Sequence, residues 1–299
     1  MTNQIDRRQF TRLMGLGGVA FASGLFTQTA GGRAWAATAK DFYFVQLSDS
    51  HWGFQGPKVN PEPTHPLPMA VEAVNAMTPA PDFVVFTGDL THSTDDPQER
   101  RKRMGEFKDQ MKALKIKDVH FLPGENDASL DNGAAFKEFF GETHWSFDHK
   151  GIHFVGLDNV SDPTASLGDA QLAWLKGDLA KHAKTQPIVV LTHRPLFDLY
   201  PDWDWATRDG AKAIDLLTPY QHVTVFYGHI HQSNSHMTGN IAHYAAESLI
   251  FPQPAPGSQP KRTPVLWDPN APFKGLGWRA VETSPAKASE TFVDHPLKA

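Results

Sequence analysis

Five short apolar runs, each ending in a cluster of aspartate, glycine or histidine, constrain this chain more than any other feature. FYFVQLS runs into Asp49-Ser50-His51, DFVVFT into Gly88-Asp89-Leu90-Thr91-His92, and DVHFLP into Gly124-Glu125-Asn126-Asp127. PIVVLT runs into His193-Arg194-Pro195, and VTVFY into Gly228-His229-Ile230-His231. Runs this short, rich in Val and Phe and bounded by turn residues, read as β-strands. Amphipathic helical stretches lie between them: PMAVEAVNAM, PQERRKRMGEFKDQMKAL, Asp169 to His182, and Ala211 to Leu217. WSFDHKGIHFVGLDN reads as a hairpin-like pair, and further strands are expected near Gly277 to Glu282 and Glu290 to Asp294. The alternation is that of an α/β fold. Loops at the carboxyl ends of the strands of such a sheet converge on one crevice, so the five polar clusters are expected to meet there. Asp49 and His51, like His229 and His231, are two residues apart. On extended backbone that spacing puts both side chains on one side, suited to a shared or adjacent metal.

The chain has no cysteine. Disulfides and thiolate metal sites are therefore excluded, and any metal must be held by His, Asp, Glu or Asn. The charge balance of 28 basic against 33 acidic residues, with no basic stripe carrying interleaved aromatics, argues against a duplex nucleic acid as partner. Residues 1–36 read as an export signal. Arg7 and Arg8, followed by Phe10 and Leu13, resemble the twin-arginine motif, and a weakly apolar, glycine-broken core leads to Ala34-Trp35-Ala36. That core is shorter than the roughly 20 apolar residues a membrane span needs, so release into the periplasm or medium is expected rather than a stable anchor. The partner implied is the twin-arginine export machinery. No linker or repeat divides residues 37–299, which read as one domain. From about residue 251 the chain is proline-rich and reads as an ordered surface meander, with a flexible tail as the alternative. No heptad or exposed apolar helix announces an oligomer.

The order of the motifs resembles that of the calcineurin-like metallophosphoesterases, D-x-H, G-D, G-N-H-D/E, H and G-H-x-H, over about Phe42 to Gln232. The resemblance implies a four-layer αββα sandwich of two mixed β-sheets flanked by helices. It also implies two divalent or trivalent metal ions (Fe, Mn or Zn, with iron or manganese favoured). Asp49, His51, Asp89 and His231 would hold the first ion, and His193, His229 and a ligand from the third motif the second, with Asp89 bridging. The implied reaction is hydrolysis of a small phosphomonoester or phosphodiester by a metal-bridging hydroxide attacking phosphorus in line. The purple acid phosphatase branch carries a tyrosine three residues after the bridging aspartate. His92 stands there in this chain, which disfavours that branch.

The third motif departs from the family. Aligned without a gap, Glu125 replaces the amide ligand of the second metal, and Asn126 replaces the histidine that serves the transition state or protonates the leaving group. A carboxylate is a sound ligand for manganese or iron. Asn126 can donate a hydrogen bond but not a proton, and losing general acid catalysis slows a reaction by about 10² to 10⁴-fold. A one-residue slip would instead make Asn126 the ligand and put Asp127 at the histidine position. His92 is the nearest residue able to compensate, or else a partner orienting a ligand; His222 and His236 are weaker candidates. Arg194 could meet a phosphate bidentately or be a surface arginine. The leading expectation is an enzyme, possible alternatives being a metal-loaded protein that binds phosphate ligands with little turnover, and a metal-free solute binder.

Overall fold

The computed structural model describes residues 41–298; the segment read as an export signal lies outside the described residues. The chain runs β1 (Phe42–Leu47), α1 (Pro66–Asn75), β2 (Val84–Thr87), α2 (Pro97–Met111), β3 (Val119–Leu122), α3 (Glu125–Ala128), α4 (Ala134–Phe140), β4 (Trp145–His149) and β5 (Ile152–Gly156). It continues α5 (Gly168–Leu179), β6 (Ile188–Leu191), α6 (Gly210–Leu217), β7 (Val223–Tyr227), β8 (Asn234–Thr238), β9 (Ile241–Ala245), β10 (Gly277–Ser284) and β11 (Ser289–Pro296). One sheet has the order β11-β10-β1-β2-β3 and the other β4-β5-β6-β7-β9-β8. Both are mixed. β1, β2 and β3 are parallel, with β10 antiparallel on β1; β5, β6, β7 and β9 are parallel, with β4 and β8 antiparallel at the edges.

Strand parity explains how these runs form four layers. Successive residues of a strand face opposite sides of its sheet. Phe42, Phe44 and Val85 of the first sheet pack against Phe154, Val189, Leu191 and Phe226 of the second. Their strand neighbours Val45, Leu47, Val84 and Phe86 face outward, onto Ala70, Val71, Val74, Met104, Phe107 and Phe136 of the helices. On the far side, Val155, Val190 and Val225 meet Leu172, Leu175, Ala213 and Leu217. Strands covered on both faces must be apolar throughout, which is why the runs show no polar alternation. The sandwich of two mixed sheets flanked by helices is the architecture expected.

Local signals fix the helix that follows the second motif. Asp96 caps α2, its carboxylate accepting from the N–H groups of Gln98 (2.8 Å) and Glu99 (3.3 Å), with Pro97 in the first turn. The sequence reading missed the β8–β9 pair, β8 with its polar and mostly exposed NSHMT and β9 with its buried IAHYA, and the short helices α3 and α4. No helix among the described residues is long and apolar enough to cross a membrane.

Candidate metal centre

Each of the five motifs lies just beyond the carboxyl end of β1, β2, β3, β6 or β7, and the two sheets bring these ends together. The turns are unusual in backbone terms. Asp49 (φ 55°), His51 (φ 41°), Asp89 (φ 49°), His229 (φ 66°) and His231 (φ 51°) all adopt the left-handed region. Non-glycine residues avoid this region, and where it persists the surrounding structure must enforce it. This corrects the reading of the i, i+2 pairs as extended backbone. Asp49 and His51 do face one donor group, but the left-handed turns send His229 and His231 to two different groups. Two glycines make room for the arrangement. Gly88 has φ +94°, and a Cβ there would overlap the His193 ring; a Cβ on Gly124 would overlap the Asp89 carboxylate.

Asp49, His51 and His231 form one group of converging donors, and Glu125, His193 and His229 a second. In the first, His51 Nε2 is 3.3 Å from His231 Nε2, and His231 Nε2 is 3.3 Å from Asp49 Oδ1. In the second, Glu125 Oε2 is 2.9 Å from His193 Nε2, and Oε1 is 3.0 Å from His229 Nδ1. Asp89 lies between them: its Oδ2 is 3.3 Å from His51 Nε2 and 3.5 Å from His193 Nε2. Donors held about 2.1 Å from one ion at tetrahedral angles lie roughly 3.4 Å apart, so these spacings suit a shared cation. Glu125 Oε2, His193 Nε2 and His229 Nδ1 are buried without a hydrogen-bond partner among the described residues despite their proximity. Such atoms are costly unless something satisfies them, and a cation would. The residues fit a metal pair, and their nitrogen and oxygen donors suit borderline cations.

Neighbouring groups fix the ligands. His193 Nδ1 faces the Thr87 carbonyl and His231 Nδ1 the Phe251 carbonyl, both at 2.7 Å. Each imidazole can donate there and turn Nε2 to the centre. Asp127 ties the second motif to the third by accepting from the N–H groups of Leu90 (2.9 Å), Thr91 (2.8 Å) and Gly124 (2.9 Å) and from the Thr91 hydroxyl (2.9 Å). Charge balance follows from burial and crowding. Burial alone would raise Asp49, but the imidazoles of His231, His193 and His51 outweigh it and hold the carboxyl below its ordinary range. Glu125 is likewise held low against burial by His229 and His193. Asp89 is pushed up to about 6 by burial and the charge of Glu125, and burial lowers His229 to about 4 despite Glu125. The pocket thus gathers more acid than it can neutralise by itself.

The remaining residues singled out in the sequence fall into distinct places. Asn126 is turned inward: its Nδ2 donates to Asp89 Oδ2 (2.7 Å), its backbone N–H to Asp89 Oδ1 (2.9 Å), and its Oδ1 accepts from the Ser93 N–H (3.2 Å). Glu125, not Asn126, is the third-motif side chain among the donors. His92 Nδ1 stands 3.2 Å from His51 Nδ1, with its ring edge-on to Phe54, so it meets a ligand and not the donor crevice. Arg194 is neither a surface arginine nor a free phosphate clamp. It is 6% exposed, donates from Nε to the Ala206 carbonyl (2.7 Å), and pairs with Asp204 (3.2 Å). His222 precedes β7 at the opposite strand end, and His236 stacks on Phe197 at 3.9 Å. Arg262, which the sequence reading did not single out, places Nη1 3.3 Å from His229 Nε2. A separate Asp148, His153 and His182 group has its two rings stacked at 3.7 Å, and Asp148 and Asp178 occupy both nitrogens of His153.

Comparison with known proteins follows the same lines. The sequence pattern of the Calcineurin-like phosphoesterase family matches residues 42–233. The serine/threonine-protein phosphatase CPPED1 of Danio rerio is 26% identical over 221 residues, covering 64% of this chain and 71% of that protein. A probable cyclic nucleotide phosphodiesterase of Rhodopseudomonas palustris is 25% identical over 249 residues, covering 72% and 84%. Among solved structures, a dimetal phosphatase from Danio rerio superimposes with a TM-score of 0.57 at 13% identity, over 85% of this chain and 98% of that one.

Proposed function

The chain belongs to the calcineurin-like phosphoesterase family, and from that premise we propose that it hydrolyses a phosphomonoester or phosphodiester at a centre of two metal ions. Metal-dependent phosphoester hydrolysis is supported by the family and by relatives that are phosphatases and phosphodiesterases. The observation that carries the binuclear form is the pair of donor groups with Asp89 within reach of both. When bound, two ions of iron, manganese or zinc would lower the pKa of water and withdraw charge from a phosphoryl group.

The chain's own residues do the rest. Asp49, His51 and His231 would hold one ion, Glu125, His193 and His229 the other, and Asp89 both. Asp127 holds the second and third motifs in register, and the Asn126 amide orients Asp89. Asn126 has no proton to give, so esters with poor leaving groups turn over more slowly, by about 10² to 10⁴-fold relative to a site with a general acid. That same commitment of Asn126 to Asp89, and of His92 to His51, favours a second reading: a metal-loaded phosphate-binding protein with little turnover.

Metal analysis of the natively purified protein, followed by hydrolysis of bis-p-nitrophenyl phosphate with and without a chelator, separates the two. An aryl diester hardly needs an acid, so near two metal equivalents with chelator-sensitive hydrolysis support the enzyme. Two equivalents without hydrolysis favour the binder, and failure to take up metal sinks both. We further propose that residues 1–36 direct twin-arginine export to the periplasm or medium, on the strength of Arg7 and Arg8. Changing both to lysine should retain the protein in the cytoplasmic fraction; unaltered export would refute the assignment.

A further inference from the structure

We infer that the proline-rich segment between Phe251 and Leu276 is a recognition arm whose Arg262 binds an anionic phosphoryl oxygen, and that it favours phosphomonoesters over diesters; this rests on the hydrolytic reading above. The segment is tied to the candidate centre at several points. The Phe251 carbonyl accepts from His231 Nδ1 (2.7 Å), the Gln253 N–H donates to the His231 carbonyl (3.4 Å), and Gln232 Nε2 donates to the Pro254 carbonyl (3.0 Å). Two more backbone bonds close the arm, Val265 N–H to the Pro252 carbonyl and Trp267 N–H to the Lys58 carbonyl, both 3.0 Å. At its tip, Gln259 Nε2 clamps the turn that carries Arg262, donating to the carbonyls of Lys261 and Thr263 (3.0 Å each) and to Thr263 Oγ1 (2.7 Å).

Arg262 is therefore presented by a closed loop. Arg262 is exposed as a residue and pairs with no carboxylate among the described residues, yet its Nη1 reaches within 3.3 Å of His229 Nε2 in a partly buried contact. A neutral imidazole has one acceptor nitrogen. The Nδ1 of His229 faces Glu125 in the second donor group; if that nitrogen holds a cation, Nε2 must carry the proton and can no longer accept from Arg262. The guanidinium, which cannot lose its charge, is then free to take an oxygen anion in the fork geometry that suits phosphate. A phosphomonoester presents three terminal oxygens and up to two charges, a diester only two oxygens and one charge. The cation on the arm serves the extra oxygen. It also supplies a fixed positive charge in a site where Asn126 offers none.

The test compares wild type, Arg262→Gln and Arg262→Lys, each loaded with manganese and checked for metal content. Inorganic phosphate affinity is measured by calorimetry, and kcat/KM with p-nitrophenyl phosphate and with bis-p-nitrophenyl phosphate. Charge-assisted hydrogen bonds of the usual strength predict a roughly 10- to 100-fold loss of phosphate affinity and of monoester kcat/KM in Arg262→Gln. The diester should change by less than about threefold, Arg262→Lys should retain part of the effect, and metal content should hold. Unchanged phosphate affinity overturns the inference, as does an equal fall for both esters accompanied by loss of metal, which would make Arg262 a prop for His229. Weakened phosphate binding in a protein that hydrolyses neither ester upholds the Arg262 contact while sinking the hydrolytic reading.

Discussion

Replacing Glu125 by glutamine keeps the size of the side chain and one of its oxygens but removes its charge, which isolates what the carboxylate does. Its two oxygens span His193 Nε2 at 2.9 Å and His229 Nδ1 at 3.0 Å, and Oε2 has no hydrogen-bond partner among the described residues. A cation in this group would lose its nearest negative charge apart from Asp89. Two unit charges about 4 Å apart interact by about 4 kcal/mol at an effective dielectric constant near 20. Since each 1.4 kcal/mol is about tenfold in affinity, Glu125→Gln should weaken one metal equivalent by roughly 10² to 10³-fold. The other equivalent, held by Asp49, His51 and His231, should stay within about tenfold of wild type.

Asn126→Ala is the comparison variant, because the Asn126 side chain hydrogen-bonds Asp89 and the Ser93 N–H and not Glu125. Chelator-stripped protein titrated with manganese or zinc by calorimetry, with stoichiometry checked after dialysis, reads both variants. Wild-type affinity at two sites in Glu125→Gln would refute the reasoning. Asn126→Ala frees Asp89 of an amide donor and should weaken both equivalents alike, whereas selective loss of the His193 and His229 equivalent would restore the slipped alignment in which the amide is the ligand.

Three further outcomes are expected. Asn126→His should raise turnover of alkyl phosphoesters more than aryl ones, by up to about 10² to 10⁴-fold; an equal change for both, or a decrease, would mean that no general acid is missing. Asp127→Ala leaves three backbone N–H groups and the Thr91 hydroxyl without their acceptor and should destabilise the fold by about 3–5 kcal/mol in urea titration, a loss under about 1 kcal/mol counting against this hub. His243 is fully buried with neither ring nitrogen partnered among the described residues, and burial together with His236 lowers it to about 3. The folded state then binds fewer protons than the unfolded state between about pH 6.5 and 3, so this residue's contribution is intact above pH 6.5 and is lost as pH falls, on the order of 2 kcal/mol by pH 5. His243→Leu should flatten that part of the stability profile, and an unchanged slope would sink the argument.

Where the sequence was legible, it was so for a physical reason. Val45, Val84, Val190 and their neighbours sit in strands covered on both faces, so burial shows as unbroken apolar runs. The ligand-type residues sit where those runs end, and a converging set of strand ends needs no further information to be recognised. Side-chain direction was less legible. The left-handed turns at Asp49, His51, Asp89, His229 and His231 depend on loops meeting from both sheets, which local spacing does not encode. Arg194 was misjudged because its partners, Asp204 and Ala206, lie in a later loop that folds back over it. Arg262 left no signal at all, since a proline-rich stretch has neither helical nor strand periodicity to say where it packs.

These misplacements bear on one another through charge. Against the family pattern, Glu125 adds a negative charge beside His193 and His229, and Asn126 removes an imidazole that could carry a positive one. Both changes leave the centre with less positive charge, and Glu125 adds to the burial that raises Asp89. A pocket so altered binds cations well, but once they are bound it offers an anionic substrate less positive charge than the family pattern would. Arg194 is pinned by Asp204 and the Ala206 carbonyl, although its charge still reaches His229, and the pKa of His92 is lowered by burial and by Arg103. Arg262 is a second cation that stands against the centre, and among the described residues it pairs with no carboxylate. The departures in the third motif and the position of the proline-rich arm therefore read as one adjustment: charge that the motif gave up near the phosphoryl group returns on a segment more than a hundred residues away.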